Sequence, residues 1–345
     1  MKKSALLLLL TSISCCTLAQ TPYPTIGSIE RLDPKLDALL PKDAKLEVLA
    51  SGFDWSEGPV WIKGSGNTDG YLLFSDVPQN TIYKWSEKEG CKPFMNPSGY
   101  TGVALYSGEP GSNGLAVDVK GRLISAEHGD RRISALSLEE RAGGKMTLAD
   151  KYDGKRFNSP NDVAPHSNGS VYFTDPPYGL PEREKDTKTR ELTIHGVYRV
   201  TPDGKVTLLI DNLTRPNGVA FSPDEKTLYI AQSDPEKPYI MAYPVQADGT
   251  VGKGRIFYDA SNGVKQNLPG LPDGLKVDKN GNVWSSGPGG ILIIAPSQGD
   301  APGKLLGMIK TGVATANCAF GSDGSTLYIT ADMYLIRVKT MTKGL

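Results

Sequence analysis

The chain has no excess of charge of either sign: 38 basic and 38 acidic side chains balance across 345 residues. Nucleic acid and anionic lipid are recognised through basic patches or stripes, so neither is an expected partner. Other signatures are missing too. There is no G-x-S-x-G elbow, no H-E-x-x-H, no Walker A loop and no C-x-x-C-H haem site, which weakens serine hydrolase, zinc protease, nucleotidase and cytochrome readings. Cysteine is sparse at 4 residues, and beyond the first twenty positions no run is apolar enough to span a membrane. What the chain has in quantity is turn formers, with 39 Gly and 25 Pro. That supply favours many tight turns over long helices.

The first residues read as a leader. Lys2 and Lys3 precede the apolar run Ala5 to Leu10, and Thr17-Leu18-Ala19 offers small residues before Gln20. This is the layout of a secretory signal peptide spanning 1–19, which predicts a periplasmic or secreted protein. The alternative is a lipoprotein acylated on Cys15 or Cys16, for which Ser12-Ile13-Ser14 is a poor lipobox. Cleavage leaves Cys91 and Cys318 in a disulfide-permissive compartment, where they either pair or stay as buried thiols.

Beyond the leader a short unit recurs. It consists of a polar residue, often followed by Gly, then a few apolar residues, a turn and a β-rich run. Its copies begin at Ser56-Glu57-Gly58-Pro59-Val60-Trp61, Ser112-Asn113-Gly114-Leu115-Ala116-Val117, Pro160-Asn161-Asp162-Val163-Ala164, Pro216-Asn217-Gly218-Val219-Ala220-Phe221, Pro272-Asp273-Gly274-Leu275-Lys276-Val277 and Ala316-Asn317-Cys318-Ala319-Phe320. The polar residues are spaced by 56, 48, 56, 56 and 44 positions, which fits one four-stranded propeller blade per copy. Sustained helical periodicity is absent, so a parallel βαβ fold is disfavoured. After Asn317 only 28 residues remain, enough for three strands. The sixth blade is then one strand short, and Lys45-Leu46-Glu47-Val48-Leu49-Ala50 can complete it and hide its open edge. The predicted fold is all-β: a six-bladed β-propeller over 45–340 with four-stranded blades, its ring closed by an N-terminal strand. Residues 20–44 form an N-terminal arm and 341–345 a C-terminal tail.

Topology places the chemistry. The first strand of each blade lines the central channel, so Glu57, Asn113, Asn161, Asn217, Asp273 and Asn317 aim at a common point on one face. Loops joining second to third strands emerge on that face, and the longest, Tyr178 to Ile194, overhangs the entrance as a rim or lid. Two carboxylates converging in a desolvated channel repel unless a cation lies between them. The donors are hard oxygens, which predicts one divalent cation, calcium first, with magnesium, manganese or zinc as alternatives. Glu57, Asn161, Asn217 and Asp273 are its expected ligands. Any one Asn-Gly or Asp-Gly is by itself a common turn dipeptide; the alignment of copies is what gives the set meaning. Asn113, His128, Asn161, Asp175, Tyr178 and Asn317 are the expected substrate contacts. For His128 the alternative is a satisfied loop histidine, and for Asp175 a blade-stabilising acceptor. His166 and His195 read as solvent-facing.

At these residues the sequence resembles the gluconolactonase/regucalcin (senescence marker protein) family of six-bladed calcium-dependent hydrolases. The resemblance rests on Ser56-Glu57-Gly58-Pro59-Val60-Trp61, Asn158-Ser159-Pro160-Asn161-Asp162-Val163, Thr174-Asp175-Pro176-Pro177-Tyr178-Gly179, Arg215-Pro216-Asn217-Gly218 and Pro272-Asp273-Gly274. It implies that Glu57, Asn217 and Asp273 are metal ligands, that Asn161 is a ligand or substrate contact, and that Asp273 is the catalytic general base. The family's substrate-contacting arginine lies beside the asparagine of repeat three; here Ser159 falls near that place and Arg156 is displaced. The implied activity is metal-assisted hydrolysis of a sugar lactone. Alternatives are an esterase or phosphotriesterase-like reaction in the same site, or a non-catalytic ligand-binding propeller.

Overall fold

The computed structural model describes residues 23–64, 69–102, 105–139, 144–296, 299 and 301–345. The predicted leader with Cys15 and Cys16, and the first residues of the arm, lie outside the described residues.

Six antiparallel sheets of the predicted kind make the ring. Their innermost strands are Ser56–Ile62, Ser112–Val117, Val163–Pro165, Pro216–Phe221, Leu275–Val277 and Asn317–Gly321, in register with the six sequence repeats. Blade four runs Pro216–Phe221, Thr227–Gln232, Tyr239–Pro244 and Arg255–Asp259. Strand Leu46–Ser51 pairs antiparallel with the last long strand, Tyr334–Lys339, through Tyr334↔Ser51 and Arg337↔Glu47. The first part of the chain thereby completes the last blade. Arg337 fixes this seam, donating to Glu47 at 2.6 Å and packing its guanidinium over Trp85.

The arm is part of the sheets. Thr25–Ile26 extends blade six and Ser28–Arg31 extends blade five. Gly27 makes the crossing at φ +65, where an added Cβ would lie 2.0 Å from the carbonyl oxygen of Lys310. The tail also folds back, with Gly344 bridging to Asp278.

Alternation along each strand divides its apolar side chains between two neighbouring blades. In Thr326–Ala331, Leu327 and Ile329 face blade five while Tyr328 faces blade one. In Thr227–Gln232, Leu228 and Ile230 face blade three while Tyr229 and Ala231 face blade five. The core is accordingly six separate apolar layers, one at each blade interface. Aromatic pairs span several of them: Trp61 stacks on Tyr328 at 5.4 Å, and Tyr172 meets Phe221 edge-on at 4.8 Å. Each fully buried Leu or Phe contributes roughly 1.5–3 kcal/mol, so adhesion between blades carries most of the fold's stability and the channel is left free for polar groups.

Around the channel the inner strands approach too closely for side chains. A Cβ on Gly58 would lie 2.0 Å from the Asn113 carbonyl oxygen, and one on Gly218 would lie 2.1 Å from that of Asp273. The glycine that follows the polar residue in the repeat is where one blade's backbone rests against the next blade's polar residue.

Cys91 and Cys318 are free thiols in blades one and six. Among the described residues no helix is long and apolar enough to cross a membrane.

Candidate active site

One end of the channel opens into a pocket of about 390 Å³ whose walls include Glu57, Asn113, Asn161, Asn217 and Asp273. The volume falls within the range of small-molecule sites. Glu57 is 2% exposed; its Oε2 accepts from the Gly58 amide at 2.7 Å and from Asn317 Nδ2 at 3.2 Å. Asn317 in turn accepts from the Cys318 amide and, at 3.4 Å, from Lys276 Nζ. It stands behind Glu57 and outside the pocket lining.

The other polar residues form a relay running one way around the ring. Asn113 Nδ2 donates to Asn161 Oδ1 at 3.0 Å, Asn161 Nδ2 donates to Asn217 Oδ1, and Asn217 Nδ2 donates to Ser233 Oγ at 2.9 Å. The Ser233 hydroxyl ends the relay on the carbonyl of Pro272, one residue short of the Asp273 side chain. Donors are thereby used up among the amides while acceptors are left over. Asn113 Oδ1 and Asp273 Oδ1 are both buried without a hydrogen-bond partner.

The electrostatics follow from this surplus. Burial pushes the Glu57 carboxyl up to about 7, with the nearby Asp162 charge adding to the effect against the Gly58 amide. Asp273 is raised well above the ordinary carboxylate range, by burial first and then by the charges of Glu57 and Asp162. Asp162, absent from the expected site, is a third buried carboxylate. It accepts from the amides of Val163 at 2.9 Å and Val219 at 3.2 Å and is itself raised by burial.

Two mutually repelling carboxylates in one pocket, with unpaired oxygens on Asp273 and Asn113, fit a cation. Among the described residues no three His, Cys, Asp or Glu side chains gather as a metal cluster. A cation here would depend on amide oxygens as well as carboxylates, the donor set of a hard ion.

The remaining expected contacts divide. Tyr178 lines the pocket, and burial raises its phenol, helped by the Asp273 charge. His128 is fully buried behind Asn161, with Nε2 3.0 Å from Asn161 Oδ1 and Nδ1 3.2 Å from the Glu109 carbonyl. Burial lowers its pKa, so it supports Asn161 from behind the wall and is no rim residue. Asp175 has a scaffold position: its two oxygens accept from the amides of Asn158 and Ser159, each at 2.8 Å, which anchors the chain entering blade three. Neither Ser159 nor Arg156 enters the pocket lining. The Ser159 hydroxyl donates to the Pro176 carbonyl, and Arg156 donates to that of Asp130. His166 packs edge-on against Phe221 and His195 Nδ1 donates to the Thr214 carbonyl; both are half-buried where a solvent-facing position was expected.

The walls also hold residues not anticipated: Trp55, Glu109, Arg183, Arg215, Ser233 and Leu271. A sequence signal for several was available. Trp55, Arg215, Leu271 and Thr315 each stand two positions before the repeat's polar residue, where the chain enters the inner strand at the channel mouth.

Fold and site together describe a six-bladed propeller with an acceptor-rich pocket at one channel mouth. Residues 55–332 match the family model described as SMP-30/gluconolactonase/LRE-like region. The chain belongs to this family. It is 42% identical over 326 residues to the gluconolactonase of Zymomonas mobilis, an alignment covering 93% of this chain and 88% of that one. A solved structure of a gluconolactonase from Xanthomonas campestris superposes with a TM-score of 0.75 at 32% identity, covering 93% of this chain and 98% of the other. Regucalcin of Oryctolagus cuniculus is 27% identical over 82% of this chain and 85% of its own length. These gluconolactonase relatives support a lactonase.

Proposed function

We propose that this protein is a divalent-cation-dependent hydrolase of sugar lactones that acts outside the cytoplasm. The observation that carries the reading is the unpaired Asp273 Oδ1 beside Glu57 in the pocket, in a chain 42% identical to a gluconolactonase. Glu57, Asn161, Asn217 and Asp273 would hold the cation, with calcium the first candidate. When bound, it would supply Lewis acidity at the lactone carbonyl.

The chain's own groups account for the rest. Asp273, whose Oδ1 is free of hydrogen bonds at the pocket wall, takes the proton of the attacking water. Tyr178 is a neutral phenol at physiological pH, and burial raises it further, so it can donate a hydrogen bond to the substrate. Asn113 Oδ1 has an acceptor position free for a substrate hydroxyl. Trp55 and Leu271 line the walls and limit the water that reaches the reacting carbon. The export signal read in residues 1–19 suits a lactone produced by sugar oxidation outside the cytoplasm.

The test is proton release from D-glucono-1,5-lactone after chelation, with calcium, magnesium, manganese or zinc restored, beside Asp273→Asn. Turnover should return with a cation, and kcat should fall by about 10²–10⁴ in the variant, the usual contribution of a positioned general base. Full turnover in chelator, or a variant as fast as the wild type, would overturn the reading.

A further inference from the structure

The pocket mouth carries two ion pairs that the reaction just described does not use. Arg183 Nη2 donates to Glu109 Oε1 at 2.8 Å, and Arg215 Nε lies 2.6 Å from Glu184 Oε1. Arg183, Arg215 and Glu109 line the pocket. Arg183 and Glu184 are consecutive residues of one short helical turn, Arg183–Lys185, yet they reach the two blades that flank blade three. Glu109 belongs to the loop entering blade two, whereas Arg215 directly precedes blade four. The segment therefore lies at the pocket rim over blade three, joined to a neighbouring blade on each flank. Arg183 adopts φ +51, a left-handed conformation uncommon for a residue with a side chain, and such outliers concentrate at functional segments.

These pairs are poorly explained as stabilising elements. The Arg183–Glu109 side chains are 55% and 25% exposed, and the Arg215–Glu184 side chains 35% and 36%. Ion pairs at that exposure contribute little to folding. They can exchange partners at small cost. Each guanidinium has five N–H donors in a planar fork, and each has one engaged with its glutamate. Two arginines and two glutamates carry no net charge, so the mouth has no net attraction for an anion. It does set donors beside acceptors, above a floor of unpaired oxygens at Asn113 and Asp273. A neutral molecule dense in hydroxyls, each able to give and accept a hydrogen bond, matches that pattern.

We propose that the Arg183–Glu109 and Arg215–Glu184 pairs are the specificity-determining contacts of this site. They recognise the hydroxyl groups of a neutral polyhydroxylated lactone and select it over lactones of the same ring size without hydroxyls. The proposal rests on the lactonase reading above. Removing a guanidinium leaves its glutamate and the substrate hydroxyls without a charged donor, a loss equivalent to about 10–100-fold in kcat/KM.

The experiment compares kcat/KM for D-glucono-1,5-lactone and δ-valerolactone, which shares the ring and lacks the hydroxyls, in the calcium-restored full chain. The proteins are wild type, Arg183→Met, Arg215→Met, Arg215→Lys and, as a control on the same segment, the exposed Lys188→Met. Thermal melts establish that each is folded. The preference for the sugar lactone should fall about 10–100-fold in each Met variant, more through KM than through kcat. It should recover partly in Arg215→Lys and match the wild type in Lys188→Met. An unchanged preference, or an equal fall on both substrates, would overturn the proposal while leaving the lactonase reading standing. A wild type that hydrolyses neither lactone would overturn that reading and this proposal with it.

Discussion

Glu57 offers a test of the site that does not depend on turnover. Its carboxyl is 2% exposed and is pushed from 4.5 to about 7, chiefly by burial. Each unit of displacement is worth about 1.4 kcal/mol, so holding this group ionised at pH 8 without a cation costs about 3 kcal/mol. The sign is fixed by linkage: between about pH 4.5 and 7 the folded protein keeps a proton that the unfolded chain has released. The group's contribution is complete below 4.5 and is lost as pH rises through 7. In chelator, the wild type should therefore lose up to about 3 kcal/mol of stability from Glu57 between about pH 5 and pH 8. Glu57→Gln does not titrate, and its amide oxygen can still accept from Gly58 and Asn317. Removing the Glu57 charge also lets Asp273 ionise more readily, which adds to the gain, so the net advantage of the variant at pH 8 should be at least about 3 kcal/mol. Denaturant unfolding across this pH range, with chelator and then with excess calcium, measures it. Calcium should stabilise the wild type by mass action and leave the variant nearly unaffected. The same pH slope in both proteins, or a variant less stable at pH 8, would refute the reasoning.

Other outcomes follow from named contacts. An added Cβ at Gly218 meets the backbone oxygen of Asp273 at 2.1 Å, so Gly218→Ala should cost about 1–3 kcal/mol and reduce turnover. Gly108→Ala, which meets nothing within 4 Å, should be near neutral in both, and denaturant midpoints with kcat compare them. Asp175→Asn turns an N–H group toward one of the two amides that the carboxylate now accepts from. It should cost about 1–3 kcal/mol while KM for the lactone stays at the wild-type value; a large rise in KM would return Asp175 to the substrate contacts.

The repeat was legible because it reports backbone geometry. Polar residue, Gly and apolar run recur since each inner strand starts at the channel, needs a close approach to the next blade, and then enters the core. That pattern located all six inner strands, their starts to within three residues, and the convergence of Glu57, Asn161, Asn217 and Asp273. Two kinds of information escaped it. One is which polar groups satisfy one another: Asp175 and His128 have the composition of site residues, and only their partners reveal a scaffold aspartate and a buried support. The other is what loops bring from outside the repeat. Arg183 and Glu109 are separated by 74 residues and meet only because the loop after Val171–Asp175 reaches the chain entering blade two. The repeat's entry position, two residues before the polar one, would have pointed to Trp55, Arg215 and Leu271 had it been read as a second aligned column.

The copies that depart from the repeat place its charges. In four of them a glycine follows the polar residue, as Gly58, Gly114, Gly218 and Gly274; in the third and sixth the position holds Asp162 and Cys318. Asp162 occupies the space that Gly114 leaves, where a Cβ on the glycine would lie 2.4 Å from Asp162 Oδ1, and it reaches the Val219 amide in blade four. It thus seats a buried carboxylate near Glu57 and Asp273, raising both. Lys276, three residues beyond Asp273 in the inner strand Leu275–Val277, opposes this charge at Glu57 and Asp162 and touches Asn317 at 3.4 Å. Displacing the protons of all three carboxyls would leave two negative charges beside the Lys276 ammonium. One divalent cation cancels them, whereas a monovalent ion would leave a buried charge uncompensated. A divalent charge for the proposed cation thus matches Asp162 and Lys276 as well as the residues that would hold it.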